Sequence, residues 1–121
     1  MLFRSVHVLI DSERNTEFEP LDATHQGFFE ICSSLFGAEN VFLTKRRATE
    51  NYLSDRAVKV VKGDKCRALD HYEKLDSIEP SWGKNENWMI AEEMNSAEIN
   101  NTDVGEFLLK LQKRVIQARA H

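Results

Sequence analysis

The chain has 121 residues, is 41% hydrophobic and 30% charged, and carries a formal net charge of −4. That is enough chain for one core and not for two, and the acidic balance argues against a general nucleic-acid coat protein. Five Gly, two Pro and two Cys exclude a collagen-like chain, a Pro-rich disordered chain and a disulfide scaffold.

The first predicted element is Ser5–Ile10, short, β-branched and apolar on both parities, as in a strand covered on both faces. Its apolar run is broken by His7 and falls far short of the ~20 residues a membrane span needs. The opening Met1-Leu2-Phe3-Arg4 lacks the basic stretch and long apolar segment of a secretory signal. Cys32 and Cys66 have no Cys-x-x-Cys spacing and no neighbouring His, and read as buried free thiols of a reducing cytoplasm. After the strand, Asp11-Ser12-Glu13-Arg14-Asn15 is a polar loop. Phe28, Ile31, Cys32, Leu35 and Phe36 then fall at helical spacing within Ala23–Phe36, and Gly37 supplies the stop. Val41-Phe42-Leu43-Thr44 is a second short strand. Strand, crossover helix and strand make a βαβ unit, which implies parallel pairing.

The remainder reads as helical. Ser54 caps a helix ending at Gly63, with Ala57, Val58 and Val61 inward. Asp64 is expected to cap another, carrying Cys66, Leu69, Tyr72 and Leu75 as a stripe. Residues 76–83, with Pro80 and Gly83, are a break, and Asn87–Met94 is a further amphipathic segment. Thr102 caps a last helix with Val104, Phe107, Leu108, Leu111 and Val115 on one face and Lys110, Lys113, Arg114 and Arg119 toward its C-terminus. Two parallel strands alone leave two open edges and too little apolar face for stability. The expectation is a single α/β domain over residues 1–121 that is incomplete, its missing strand supplied by another segment or a partner.

Charge is segregated along the chain: net −5 over residues 1–44, +5 over 45–67, −8 over 68–106 and +4 over 107–121. The basic stretch is either a phosphate-binding face or a solvated surface balancing acidic neighbours. Ligands of parallel α/β sheets bind at the carboxyl ends of the strands. Asp11 and Glu13 follow the first strand; Lys45, Arg46 and Arg47 follow the second, with Glu50 just beyond, so all six are expected on one rim. Two carboxylates one residue apart can aim at one hard cation, since Mg²⁺ takes one or two carboxylates plus waters and phosphate oxygens. Such a metal polarises a phosphodiester, and Lys and Arg neutralise phosphate charge. The same triplets also suit an ordinary polar turn and a solvated surface. His25, His71 and His121 have no partner at metal spacing, no Gly-x-Ser-x-Gly elbow surrounds Ser12, Ser33 or Ser34, and no Gly-rich phosphate loop is present. Trp82 and Trp88 flank Lys84; core packing and contact with a phosphate or base are both open to this group.

Two stretches, Leu9-Ile10-Asp11-Ser12-Glu13 and Phe42-Leu43-Thr44-Lys45-Arg46-Arg47-Ala48-Thr49-Glu50-Asn51-Tyr52-Leu53, resemble the C-terminal Toprim region of OLD-family (overcoming lysogenization defect) ATP-dependent nucleases. Trp82–Ala91 and Thr102–Leu108 are similar to the tail of such domains, so the likeness spans about residues 5–110. The resemblance implies a Toprim-like parallel sheet flanked by helices and a metal-dependent DNA endonuclease. It implies Asp11 and Glu13 as ligands of Mg²⁺ or Mn²⁺, Glu50 as a further carboxylate of the site, Lys84 as the group stabilising phosphate charge, and Lys45, Arg46 and Arg47 as the DNA-binding cations. It also implies a place behind an ABC-type ATPase, in bacteria and in phage defence, with DNA as substrate; the open sheet edge separately leads us to expect further copies of the chain as partners, and the short apolar runs no membrane. The sequence departs from the family pattern in two ways: Glu13 stands where the acidic motif normally has Asp, and no Glu-Gly-containing strand precedes Met1. A non-catalytic Toprim remnant serving as an interaction or regulatory module is the alternative within the family, and an unrelated small α/β binding domain is the alternative outside it.

Overall fold

The computed structural model describes residues 6–119. Strand β1 (Val8–Ile10) pairs in parallel with β2 (Val41–Leu43), in the register Val8 to Val41, Leu9 to Phe42 and Ile10 to Leu43. Among the described residues these two strands are the whole sheet. Ser5, where the predicted strand begins, and His121 lie outside the described residues; Val6 and His7 precede the ladder.

Helix α1 (Ala23–Phe36) connects the strands. Asp22 caps it, its Oδ1 accepting from the His25 N–H at 2.8 Å, and Gly37 ends it at φ 91°, a backbone geometry that suits a residue without Cβ. The period-2 rule then sorts the strand residues. Ile10 and Val41, with Val8 and Leu43, pack with Cys32, Phe29 and Phe36 on the α1 side. Phe42 faces the other way and stacks on Phe107 of α5 (Asp103–Arg119), ring centroids 4.9 Å apart. The expected helix stripe is only partly covered: Cys32 is buried, whereas Phe28, Ile31 and Leu35 are exposed.

The larger core lies beside the sheet. Helices α2 (Asp55–Lys62) and α3 (Asn87–Glu93) pack together around Leu53, Ala57, Val58, Cys66, Leu69, Ile78, Trp82 and Ile90. Ser54 caps α2 through Oγ, which accepts from the Ala57 N–H at 3.2 Å, and Gly63 closes it at φ 99°. Trp82 is buried with its Nε1–H donating to Asn87 Oδ1 at 2.8 Å; Trp88 is 62% exposed. Both thiols are free and buried.

The helix expected after Asp64 does not form. Residues 64–74 are turns and irregular chain, followed by a short 3₁₀ turn at Leu75–Ser77. The carbonyls such a helix would consume are bonded elsewhere. Asn51 Nδ2 donates to Asp70 O and Glu73 O, each at 2.8 Å, Lys59 Nζ to Cys66 O at 3.0 Å, and the Arg47 N–H to His71 O at 2.9 Å. Cys66 and Leu69 still reach the core, so the three-residue spacing marked burial and not an α-helical period. A short helix the sequence reading did not identify, α4 (Ser96–Ile99), is capped by Asn95 with Glu98 reaching back to the Asn95 N–H. Thr102 then caps α5, its Oγ1 accepting from the Gly105 N–H at 3.0 Å. A Cβ at Gly105 would overlap the Ile99 carbonyl, so the α4–α5 junction needs glycine there. Of the predicted α5 stripe, Val104 is buried and Phe107 packed, while Leu108 and Val115 are exposed. No described helix is long and apolar enough to cross a membrane.

Candidate functional site

The carboxyl ends of β1 and β2 are tied together by buried hydroxyls. The Ser12 N–H donates to Thr44 Oγ1 at 3.0 Å, and Ser12 Oγ and Thr44 Oγ1 donate to Arg46 O at 3.0 and 2.8 Å. Ser12 and Thr44 are 1% and 0% exposed, so this polar knot is fully satisfied where an unmet group would be costly. It fixes the loops on either side. Asp11 and Glu13 therefore leave β1 at set positions, with Glu13 in the left-handed region at φ 58°.

Arg47 locks that loop. Its Nη1 donates to Glu13 O at 3.0 Å and to Asn15 Oδ1 at 2.9 Å, and its Nη2 to Glu13 Oε2 at 2.9 Å, while the Glu13 N–H donates back to Arg47 O at 2.8 Å. Asp11 is held from the chain that follows β2: the Thr49 N–H donates to its Oδ1 at 2.9 Å. Glu50, in the 3₁₀ turn Thr49–Tyr52, is buried, and Lys84 Nζ approaches its Oε1 to 3.2 Å. Lys84 comes from a different part of the chain, the 3₁₀ turn Lys84–Glu86 ahead of α3.

Two ion pairs, Glu13 with Arg47 and Glu50 with Lys84, thus stand near Asp11, whose carboxyl feels the charges of Glu50, Glu13 and Lys84. Burial raises the Asp11 carboxyl above its ordinary value. The Thr49 N–H opposes that rise, Glu50 and Glu13 add to it, and Lys84 counters them. The hydrogen bond and charge of Glu50 raise Lys84, keeping it an ammonium. Glu13, Arg47, Glu50 and Lys84 line one hollow of about 540 Å³ together with Trp82 and Lys74.

The six residues expected on a single rim are divided. Lys45 and Arg46 line a separate hollow with Asp103. The Arg46 guanidinium lies 4.7 Å above the centre of the Tyr52 ring and donates from Nη1 to Asn51 O at 3.0 Å. The division falls at Arg46, whose carbonyl is held by Thr44 Oγ1 and Ser12 Oγ: Lys45 and Arg46 before it line one hollow and Arg47 after it lines the other. Ser12, Thr44 and Asn51 position the site, yet nothing in their spacing marked them; only their burial as polar groups does.

Among the described residues no three His, Cys, Asp or Glu side chains are grouped to hold a metal ion. A hard dication that keeps waters and phosphate oxygens asks for only one or two carboxylates. Asp11 fits that demand, because its Oδ2 makes no hydrogen bond among the described residues, and Glu13 offers Oε1 while Oε2 stays on Arg47. No family model, curated protein or solved structure matches the chain.

Proposed function

We propose that this chain is a Toprim-like, metal-dependent endonuclease domain that hydrolyses DNA phosphodiesters, of the kind found in OLD-family nucleases and their phage-defence assemblies. The observation that carries the reading is that Asp11 and Glu13 leave the carboxyl end of one of two parallel strands, with Glu13 sharing a hollow with the Glu50–Lys84 pair, the place where α/β sheets take their ligands. In this reading Asp11 and Glu13 hold Mg²⁺ or Mn²⁺, which when bound supplies Lewis-acid polarisation of the phosphodiester. Arg47 keeps Glu13 in place through four contacts to its loop. Glu50 orients the Lys84 ammonium, whose charge then meets the phosphate. Lys45 and Arg46 serve the nucleic acid from the neighbouring hollow. The open sheet edges fall to an adjoining ABC-type ATPase domain or to a second copy of the chain.

A second reading has its own support. Two of the three carboxylates are already paired with cations, Glu13 with Arg47 and Glu50 with Lys84, an arrangement that also suits a non-catalytic interaction module. Plasmid nicking separates the two. With Mg²⁺ or Mn²⁺, with and without an ABC-type ATPase partner, the chain is expected to nick supercoiled DNA. Asp11→Ala is expected to lower the rate at least about a hundredfold and Lys84→Ala about tenfold to a hundredfold, the range typical of one lost electrostatic contact. A metal-indifferent monomer that leaves the plasmid intact sinks the nuclease and leaves the module.

A further inference from the structure

On the side of the Arg46 loop away from Glu50, a second hollow of about 580 Å³ lies between the loop after β1, the end of β2, the turn at 71–72 and the start of α5. Arg14 contributes to its lining, and Arg14 Nε is buried with no hydrogen-bond partner among the described residues. The residue itself is fixed by its backbone: its N–H donates to Ser12 Oγ at 3.4 Å and its carbonyl accepts from Arg47 Nη1 at 3.3 Å. With Nε buried, the guanidinium's two Nη groups, which make no hydrogen bond among the described residues, are the donors it can offer to an acceptor in the hollow. Lys45 stands in the same lining, exposed, with its ammonium in no ion pair among the described residues. The acid nearest in the chain's contacts, Asp103, is already spent: Oδ1 accepts from the Tyr52 hydroxyl at 2.7 Å and Oδ2 from the Lys45 N–H at 3.0 Å. Glu17 and Glu106 are exposed and pair with neither cation. Two aromatic rings complete the lining, Tyr72 half-buried and Phe18 87% exposed.

We propose that this hollow binds one nucleotide unit of a single-stranded nucleic acid, its phosphate on Arg14 and Lys45 and its base against Phe18 and Tyr72. Unspent cations beside open aromatic faces are the combination that holds single strands without reading sequence, and the volume lies within the range of small-ligand sites. An anion alone would satisfy Arg14 but would leave Phe18 with no function; a base covers it. The proposal rests on the reading of the chain as acting on nucleic acid, and extends it by placing a neighbouring nucleotide on the other side of the Glu13–Arg14 loop from Lys84.

The test is fluorescence anisotropy of a labelled short oligothymidylate titrated with the full chain in EDTA, so that no cleavage intervenes. Arg14→Gln and Phe18→Ala are each expected to weaken binding about tenfold, the size of one lost stacking or charged contact. Neither side chain makes a hydrogen bond among the described residues, so neither variant is expected to melt lower by circular dichroism, and Arg14→Gln, which removes a buried unmet donor, is expected to melt at the same temperature or slightly higher. Thymidine monophosphate is expected to displace the oligonucleotide at concentrations where inorganic phosphate does not. Absence of binding, full affinity in Arg14→Gln, or displacement by phosphate as good as by the nucleotide each overturns the proposal. Failure here is separate from failure of the nuclease: binding that depends on Arg14 without nicking removes only the catalytic reading, and nicking with binding indifferent to Arg14 removes only this site.

Discussion

Asp11 shows what a charged side chain costs when a fold places it beside two others. Its carboxyl is raised by burial, then by Glu50 and Glu13. A raised acid binds its proton more tightly in the folded state, so its contribution to stability is present below the ordinary carboxyl value of 3.8 and is lost as pH climbs through the raised one. At neutral pH the ionised group therefore works against the fold. Asp11→Asn keeps the acceptor for the Thr49 N–H and removes the charge; in chelator at pH 7 its melting temperature is expected to rise by about 2 °C while metal-dependent nicking disappears. Glu73 has the opposite sign. Arg67 grips both its oxygens at 2.7 and 2.8 Å, and the Asp70 N–H adds a third bond, holding the carboxyl down to about 2. Stability from this fork is complete above the ordinary value of 4.5 and fades as pH falls toward 2. The pair is solvated, so its worth is modest: Glu73→Gln is expected to cost about 1 kcal/mol at pH 7 in urea titrations, with the difference closing by pH 2.

At the scale of elements, the instructive segment is 64–74. It holds two core residues, Cys66 and Leu69, in chain with no repeating hydrogen-bond pattern. Such chain is stable only if something else meets its backbone groups. Asn51 does most of this. It is 2% exposed, its Nδ2 takes two carbonyls of the segment, and its Oδ1 accepts from the Ala48 N–H at 3.2 Å. Asn51→Ala strips three bonds at once, one buried and two part-buried. The expected loss is about 3 kcal/mol, measured as a fall in the urea midpoint. The loss should exceed that of Ser54→Ala, about 1 kcal/mol for one helix cap, because three bonds are lost in place of one.

The molecule as a whole is lopsided. Among the described residues, one core joins α2, α3 and the 66–82 chain around eight buried residues, and the other, between the sheet and α1, has three: Ile10, Cys32 and Val41. Opening free energy follows buried apolar contact, so the βαβ half is the weaker. Native-state hydrogen exchange is expected to show the amides of Val58 and Ile90 protected close to the global limit and those of β1 and α1 released earlier. Equal protection in the two halves would contradict this account. The weaker half is also the one with Phe28, Ile31 and Leu35 exposed and, among the described residues, with no strand on either outer edge, which is where the proposed assembly would add apolar cover.

Local chemistry made several elements legible from the chain alone. Ser54, Thr102, Gly37 and Gly63 act on backbone groups within a few residues of themselves, and each does so where the sequence placed it. The parallel pairing followed from the βαβ order for the same reason: two short apolar strands joined by one helix have few other ways to meet. What lay beyond reach were contacts whose partners are remote. Lys84 meets Glu50, the amide of Asn51 unmakes an expected helix between 64 and 74, and the knot of Ser12 and Thr44 parts Arg47 from Lys45 and Arg46. Read alone, the chain was enough to fix both ends of α1 and α2, the start of α5 and the residues that bring charge to the ends of the strands. Which of those charges face each other is settled in the folded molecule, because buried polar groups must find acceptors wherever the chain brings them, and the chain turns to satisfy them.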